Sequence, residues 1–172
     1  MPVLPLFSEL YGLRATVTTG VDLLRGLGKI AGMSILQIPG VTDGLDNDYA
    51  AQVQNGLEAL KDYDIVIIHI EAPDEAGHAG LVEKKIEAIE KIDAEVISRV
   101  LNWGKDKLRL LVMSDHPTPV KARVHTGDPV PLLLWGNGFK ANGAKRFTET
   151  EAKRSGLVVD QGYKIMNTLI RG

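Results

Sequence analysis

Short apolar runs alternate along the chain with longer stretches in which apolar residues recur every three or four positions. Ala15-Thr-Val-Thr18 is compact and β-branched and reads as a first strand. A helical pattern follows from about Val21 to Ala31, with Gly32 where a helix commonly ends in the left-handed conformation. Ser34 to Ile38 reads as a second strand closed by Pro39-Gly40, and Asp46 can cap a helix whose apolar face is Tyr49, Val53, Leu57 and Leu60. Ile65 to Ile70 is apolar on both faces, as in a strand covered by helices on each side. Leu81 to Asn102 predicts one amphipathic helix, with Ile86, Ile89, Ile92, Val96 and Val100 on its apolar face and charges such as Glu87 and Lys91 opposite. Leu108–Met113 and Val130–Trp135 read as the last strands. Thr148-Glu-Thr-Glu151 forms a capping box, and a final helix is expected over Gly162 to Ile170.

This alternation predicts an α/β fold: a doubly wound, mainly parallel sheet over residues 14–135 with helices on both faces. Residues 1–172 are expected to form a single domain. In open parallel sheets ligands bind beyond the carboxyl ends of the strands, where Asp74, Asp115 and His116 fall.

At 172 residues, 44% hydrophobic and 24% charged, the chain can bury a sizeable core, as one domain or as a piece of a larger one. A net charge of -2 and the lack of a basic run interleaved with aromatics argue against nucleic acid as a partner. The absence of cysteine removes disulfides and thiolate ligands and fits a reducing, cytoplasmic setting. The longest apolar run, Ile65–Ile70, is too short to span a bilayer, and the N-terminus has no signal-peptide pattern, so no membrane association is expected.

Three of the four histidines lie beside aspartates in short segments that follow or adjoin strands: Asp74-Glu-Ala-Gly-His78, Ser114-Asp115-His116-Pro-Thr-Pro119 and His125-Thr-Gly-Asp-Pro129. Imidazole and carboxylate without sulfur favour Mn²⁺, Mg²⁺ or Zn²⁺ over copper or iron–sulfur chemistry. Asp74 and His78 are four apart, so one helical turn puts both on one face; taken alone they read equally well as a first-turn carboxylate and a surface histidine. An apolar strand ending in Asp115-His116 has no packing reason to do so. Adjacent residues in extended chain point apart, so the pair would serve two ions, or one ion with the second residue in the outer shell. His125, with Thr126 and Asp128, follows in a loop. His69, inside an apolar run, reads as a core histidine satisfied by a neighbour. Gly26-Leu-Gly28-Lys-Ile-Ala-Gly32 lacks the spacing of a dinucleotide loop and reads as close helix packing plus a helix stop. No serine or threonine stands in a nucleophile's setting; Ser114 comes nearest and is expected to point into the sheet.

His69-Ile-Glu-Ala-Pro-Asp-Glu-Ala-Gly-His78, Ser114-Asp-His-Pro-Thr-Pro119 and His125-Thr-Gly-Asp-Pro-Val-Pro131 closely resemble the archaeal-type cofactor-independent phosphoglycerate mutases of the alkaline phosphatase superfamily. The likeness runs from Leu4 through Tyr11-Gly-Leu13, Val21-Asp-Leu-Leu-Arg-Gly26 and Leu60-Lys-Asp-Tyr-Asp64 to about Phe147-Thr-Glu149. It implies a partial alkaline phosphatase-like fold and two divalent ions, manganese or alternatively magnesium, zinc or cobalt. Asp74, His78 and His125 would hold one ion, and Asp115 and His116 would contribute to the other. The implied activity is that of a glycolytic isomerase moving phosphate between the 3- and 2-positions of glycerate through a phosphoserine. The family's serine and a further metal-binding aspartate belong to an N-terminal portion that these residues do not match. The expectation is therefore the C-terminal portion of a catalytic domain, inactive alone, whose partner is that missing portion or, through an exposed sheet edge, another copy. Another phosphotransferase of the superfamily, such as a homoserine kinase-like enzyme, and a non-catalytic metal-binding fragment or interaction partner are the alternatives.

Overall fold

The computed structural model describes residues 4–104 and 107–172. They fall into two compact units, one running to Trp103 with Val120–Arg123 added, the other comprising Gly104–Pro119 and Val124–Gly172. Among the described residues no helix is long and apolar enough to cross a membrane.

The first unit runs α1 (Phe7–Tyr11), β1 (Ala15–Thr18), α2 (Asp22–Ile30), β2 (Ser34–Ile35), α3 (Tyr49–Ala59), β3 (Ile65–Ile68), α4 (Ala72–Ala79) and α5 (Val82–Lys91); α5 continues through a π-helical segment, Ile92–Ile97, into α6 (Ser98–Trp103). The three strands are parallel in the order β2-β1-β3, with Ala15 opposite Ile65 and Thr18 opposite Ile68. Every residue of central β1 is buried, as expected for a strand paired on both edges and covered on its faces. Gly28 of α2 meets this sheet: a Cβ there would lie 2.9 Å from both Val17 Cγ1 and Ile35 Cδ1, whereas one on Gly26 would meet nothing within 4 Å. Gly28 thus provides the close helix packing and Gly32, at φ 72°, the helix stop expected from the glycine run.

Two local expectations change. Asp48, not Asp46, caps α3, its Oδ1 accepting the Ala51 N–H at 2.8 Å, while Asp46 accepts from the Thr42 hydroxyl at 2.7 Å. Both carboxylates can cap, but only Asp48 directly precedes the first helical residue. The long helix over 81–102 is interrupted by the π segment. A π turn holds an extra residue, so the apolar face downstream is rotated relative to the face upstream. Val96 and Val100 are accordingly buried, and so is Ala88, while Ile86 and Ile89 of the expected stripe are 45% and 51% exposed. Tyr49, at the start of α3, is buried; burial raises its phenol pKa, and the negative charges of Glu95 and Glu87 add to the rise.

Gln52 ties the carboxyl ends of β1 and β3 together. It is fully buried, and its Nε2 donates to the carbonyls of His69 at 2.9 Å and Thr18 at 3.4 Å, while its Oε1 accepts from Asn47 Nδ2 at 2.9 Å.

The second unit contains β4 (Arg109–Met113), β5 (Leu132–Gly136), α7 (Glu149–Ser155), a 3₁₀ turn over Gly162–Lys164 and α8 (Ile165–Arg171). β4 and β5 are antiparallel, Arg109 facing Gly136 and Met113 facing Leu132. Parallel pairing is therefore confined to the first three strands. A parallel return needs a crossover, usually a helix, and the connection from Ser114 to Pro131 contains four prolines and no helix. Thr148 caps α7 by accepting the Glu151 N–H at 3.2 Å, but Glu151 turns to the Lys145 N–H instead of closing the box on Thr148. Arg109 fastens β4 to the end of α8, donating to the carbonyls of Leu169 and Ile170 as well as to Asn137. A cation at a helix C-terminus satisfies carbonyls that have no partner within the helix.

Two substitutions test the packing. Gly28→Ala is expected to lower unfolding stability by about 1–3 kcal/mol through overpacking against Val17 and Ile35, whereas Gly26→Ala should be neutral or stabilise by up to about 1 kcal/mol through helix propensity. Urea denaturation of both variants gives the comparison; equal effects would contradict the assigned α2 face. Gln52→Leu, which keeps the volume but removes the donor, should lose about 1–3 kcal/mol by the same measurement.

Candidate metal centre

β3 ends at Ile68, and three residues later the chain starts α4 with Glu71 at the N-cap and Pro73 in the first turn, where its missing N–H leaves no helical bond unmade. Asp74 and Glu75 follow in the same turn, where the positive end of the helix favours carboxylates. His78, one turn beyond Asp74, projects from the same face, and its Nε2 lies 3.1 Å from Asp74 Oδ2.

The other ring nitrogen decides what this pair can do. His78 Nδ1 is 3.0 Å from the carbonyl oxygen of Arg123. A carbonyl only accepts, so Nδ1 carries the proton and, in a neutral ring, Nε2 presents its lone pair to the carboxylate. Two electron-pair donors at that distance repel one another unless a cation satisfies both: a proton makes an ion pair, and a divalent metal makes a chelate. Imidazole nitrogen with carboxylate oxygen is a donor set suited to Mn²⁺ or Zn²⁺, and a ring whose far N–H is held by a backbone carbonyl is the usual support for a metal-binding histidine. Arg123 is itself fixed. Its backbone is left-handed (φ 57°), alone among the described non-glycine residues, and its guanidinium lies over Gly80, the glycine that ends α4.

Around Asp74 the acidic groups are dense. Glu71, Asp74 and Glu75 each offer an oxygen within 4.8 Å of the others; Glu71 and Asp74 are half-buried and Glu75 is exposed. His69, one residue past β3, has Nε2 3.2 Å from Glu71 Oε2 and Nδ1 3.0 Å from Thr19 Oγ1. The expectation of a histidine satisfied by its neighbours holds, although it lies at the strand's end and not inside it.

In the second unit Asp115 and His116 lie beyond the end of β4 in a bend, and the expectation that their side chains point apart is corrected. Asp115 Oδ1 accepts the His116 backbone N–H at 3.0 Å and Oδ2 lies 3.2 Å from His116 Nε2. The alternation that separates neighbours belongs to extended strand, and the strand has stopped at Met113. His116 Nδ1 is 3.3 Å from the hydroxyl of buried Thr118. The ring of His125 stacks on that of His116 with centroids 3.6 Å apart, and the intervening loop is closed by the Thr126 N–H donating to the Pro117 carbonyl at 3.1 Å. The second and third histidine segments therefore converge. Ser114, expected to point into the sheet, is exposed.

Glu71, Thr19, Thr118 and the Arg123 carbonyl were not singled out from sequence. Only Glu71 carried a signal, standing three residues before Asp74 at the head of a helix. A hollow of about 400 Å³ opens at the opposite, amino edge of the strands, where Arg14, Ser34 and Asp62 line it without any histidine. Volume is a poorer guide to a metal site than convergent donors, so the strand-end residues are the stronger candidates.

Comparison with known proteins agrees with this chemistry. The chain is 41% identical over 174 aligned residues to the 2,3-bisphosphoglycerate-independent phosphoglycerate mutase of Methanothrix thermoacetophila, covering 99% of this chain and 44% of the relative. The chain thus spans under half the length of the curated relatives it matches. Among solved structures it is similar to the PH0037 protein from Pyrococcus horikoshii, with a TM-score of 0.93 and 31% identity over 98% of this chain and 51% of the other. It also shares its fold with the cofactor-independent phosphoglycerate mutase from Thermoplasma acidophilum, with a TM-score of 0.77 at 23% identity, covering 99% and 39%. A model of the Metalloenzyme superfamily matches residues 1–170, and with nearly every residue inside that match the chain belongs to the Metalloenzyme superfamily.

Proposed function

We propose that residues 1–172 act as the C-terminal portion of the metal-binding catalytic domain of a cofactor-independent phosphoglycerate mutase, an isomerase interconverting 3- and 2-phosphoglycerate in cytoplasmic glycolysis or gluconeogenesis. The observation that carries the reading is His78, its Nδ1 on a backbone carbonyl and its Nε2 turned to the Asp74 carboxylate. The names of the relatives and the superfamily match support it.

On this reading Asp74 and His78, together with His125, hold one ion, and Asp115 and His116 contribute to a second. Arg123, whose carbonyl orients His78, stands two residues before His125 in the chain, which favours joining these residues in one site. Manganese is the proposed metal, with magnesium, zinc and cobalt as alternatives that the oxygen and imidazole donors also accept. A divalent ion supplies Lewis acidity toward phosphoryl oxygens. This chain's residues contribute fixed donors: the helical turn sets the Asp74–His78 spacing, the Arg123 carbonyl sets the tautomer, and the Asp115–His116 bend presents both side chains together. The serine that carries the phosphoryl group is assigned to the part of the longer relatives that this chain does not span, so metal binding is the direct readout for these residues.

Titration calorimetry of the 172-residue chain with Mn²⁺ is expected to show binding that weakens toward acid pH, because protons in solution compete with the ion for the imidazole nitrogens. His78→Ala and His125→Ala should each weaken it by at least about tenfold, about 1.4 kcal/mol. Asp128→Asn should leave it unchanged, since Asp128 is engaged by the Thr126 hydroxyl at 2.8 Å. Unaltered affinity in His78→Ala would sink the assignment.

A further inference from the structure

We infer that the outward face of α2 is an interface through which two copies of this chain associate, their helices packing antiparallel about the midpoint between Gly26 and Leu27. The inference is independent of the proposed metal reading.

The helix buries one side and leaves the other apolar. Gly28 faces the sheet, against Val17 and Ile35. Leu23, Gly26, Leu27 and Ile30 recur at spacings of three and four, so at 3.6 residues per turn they form one stripe on the side turned away from that sheet. Leu23 is 70% exposed, Leu27 44% and Ile30 42%, and a Cβ on Gly26 would meet nothing within 4 Å. A surface helix ordinarily turns its charged residues outward. Here Asp22, Arg25 and Lys29 lie along one flank of the stripe and none lies in it. The patch continues past the end of the helix: Leu6 and Leu10 of the α1 region, one turn apart, are exposed, and a Cβ on Gly32 would lie 2.9 Å from Leu6 Cδ2. Contiguous exposed apolar side chains of this kind mark an interaction surface.

The sequence of the stripe is its own complement. When two such helices pair antiparallel about a two-fold axis through that midpoint, Leu23 stands level with Ile30 of the second copy and Gly26 with its Leu27. Each Leu27 then enters the space that the facing glycine leaves without a side chain, ridge into groove. Antiparallel pairing also brings like flanks together. Asp22, in the first turn, and Lys29, in the last, share a flank, so Asp22 of each copy comes beside Lys29 of the other, about 3 Å of helical rise from level. Asp22 Oδ1 accepts from Arg25 at 2.8 Å, but its side chain is almost wholly exposed, so a second cation can reach it. Parallel pairing would set the charged flank against the other copy's uncharged one. Apolar spacing and charge order thus both select another copy of α2. With nine residues in each helix, the contact falls at the small end of specific interfaces and association in the micromolar range is expected.

The test is sedimentation equilibrium of the 172-residue chain in EDTA across micromolar concentrations, with a thermal melt of each variant. The wild type is expected to show a reversible monomer–dimer equilibrium. Leu27→Asp, at an exposed position, should keep the melting temperature of the monomer and weaken dimerisation at least about tenfold. Lys29→Glu should weaken it about 3–10-fold by opposing Asp22, and combining it with Asp22→Lys should restore wild-type affinity to within about twofold. Ile86→Asp, at an exposed position of α5, should dimerise as the wild type does. A chain that stays monomeric at every concentration, or whose association survives Leu27→Asp, overturns the inference. So does association that Leu27→Asp abolishes but that the charge exchange fails to restore, because the face then serves a different partner, such as the portion of the longer relatives that this chain does not span.

Discussion

One buried amide holds the working end of the first unit together. Where β1 and β3 stop pairing, the Thr18 carbonyl takes a last bond from the His69 N–H at 3.0 Å, and the His69 carbonyl emerges beyond it, partly covered. Gln52 reaches them from α3 with both protons of its Nε2, and Asn47 satisfies its remaining oxygen. A buried carbonyl left unsatisfied costs about 1–3 kcal/mol, so the amide offsets much of the penalty that the His69 carbonyl would otherwise carry, and it adds a second donor to the Thr18 carbonyl. Thr19, His69 and Glu71 all lie within three residues of the carbonyls it engages.

That arrangement explains why the candidate ligands can be both polar and rigid. Parallel strands deliver their chains to one edge, and the next residues must either turn into helices or remain exposed. Here β3 turns into α4 within three residues, and the helix periodicity sets the interval between Asp74 and His78. The second unit reaches its histidines by a different route: a proline-rich return bends the chain after β4 and brings the His116 and His125 rings face to face. Two unlike local structures thus present the same kind of donor.

Much of this was legible in the sequence, and the part that was not has a common physical origin. The α/β class, the helices over 22–30 and 49–59, the glycine that packs α2 on β1 and the segments that carry the candidate donors all follow from features within a few residues of one another. Periodicity, strand-end position and local spacing report such features well. The interruption of the long helix leaves no mark in the pattern, because a π turn changes the very period by which a helix is recognised. The antiparallel return of β5 depends on what the connection fails to contain. The partners of His69 lie 50 residues back in Thr19 and two residues ahead in Glu71, and the donor that clamps its carbonyl is on another helix. No window along the chain encloses all three.

The group that orients His78 belongs to the main chain. Among amino acids only proline would alter the donor and acceptor inventory at residue 123, and it removes an N–H, not the carbonyl that His78 uses. The orientation of this ring is therefore insulated from drift in side-chain identity: lineages can exchange the arginine for another residue able to adopt a left-handed backbone, asparagine or glycine foremost, and keep the contact. What selection must preserve there is a path of the backbone, whose signature in an alignment of relatives would be a bias in conformational preference and not an invariant letter.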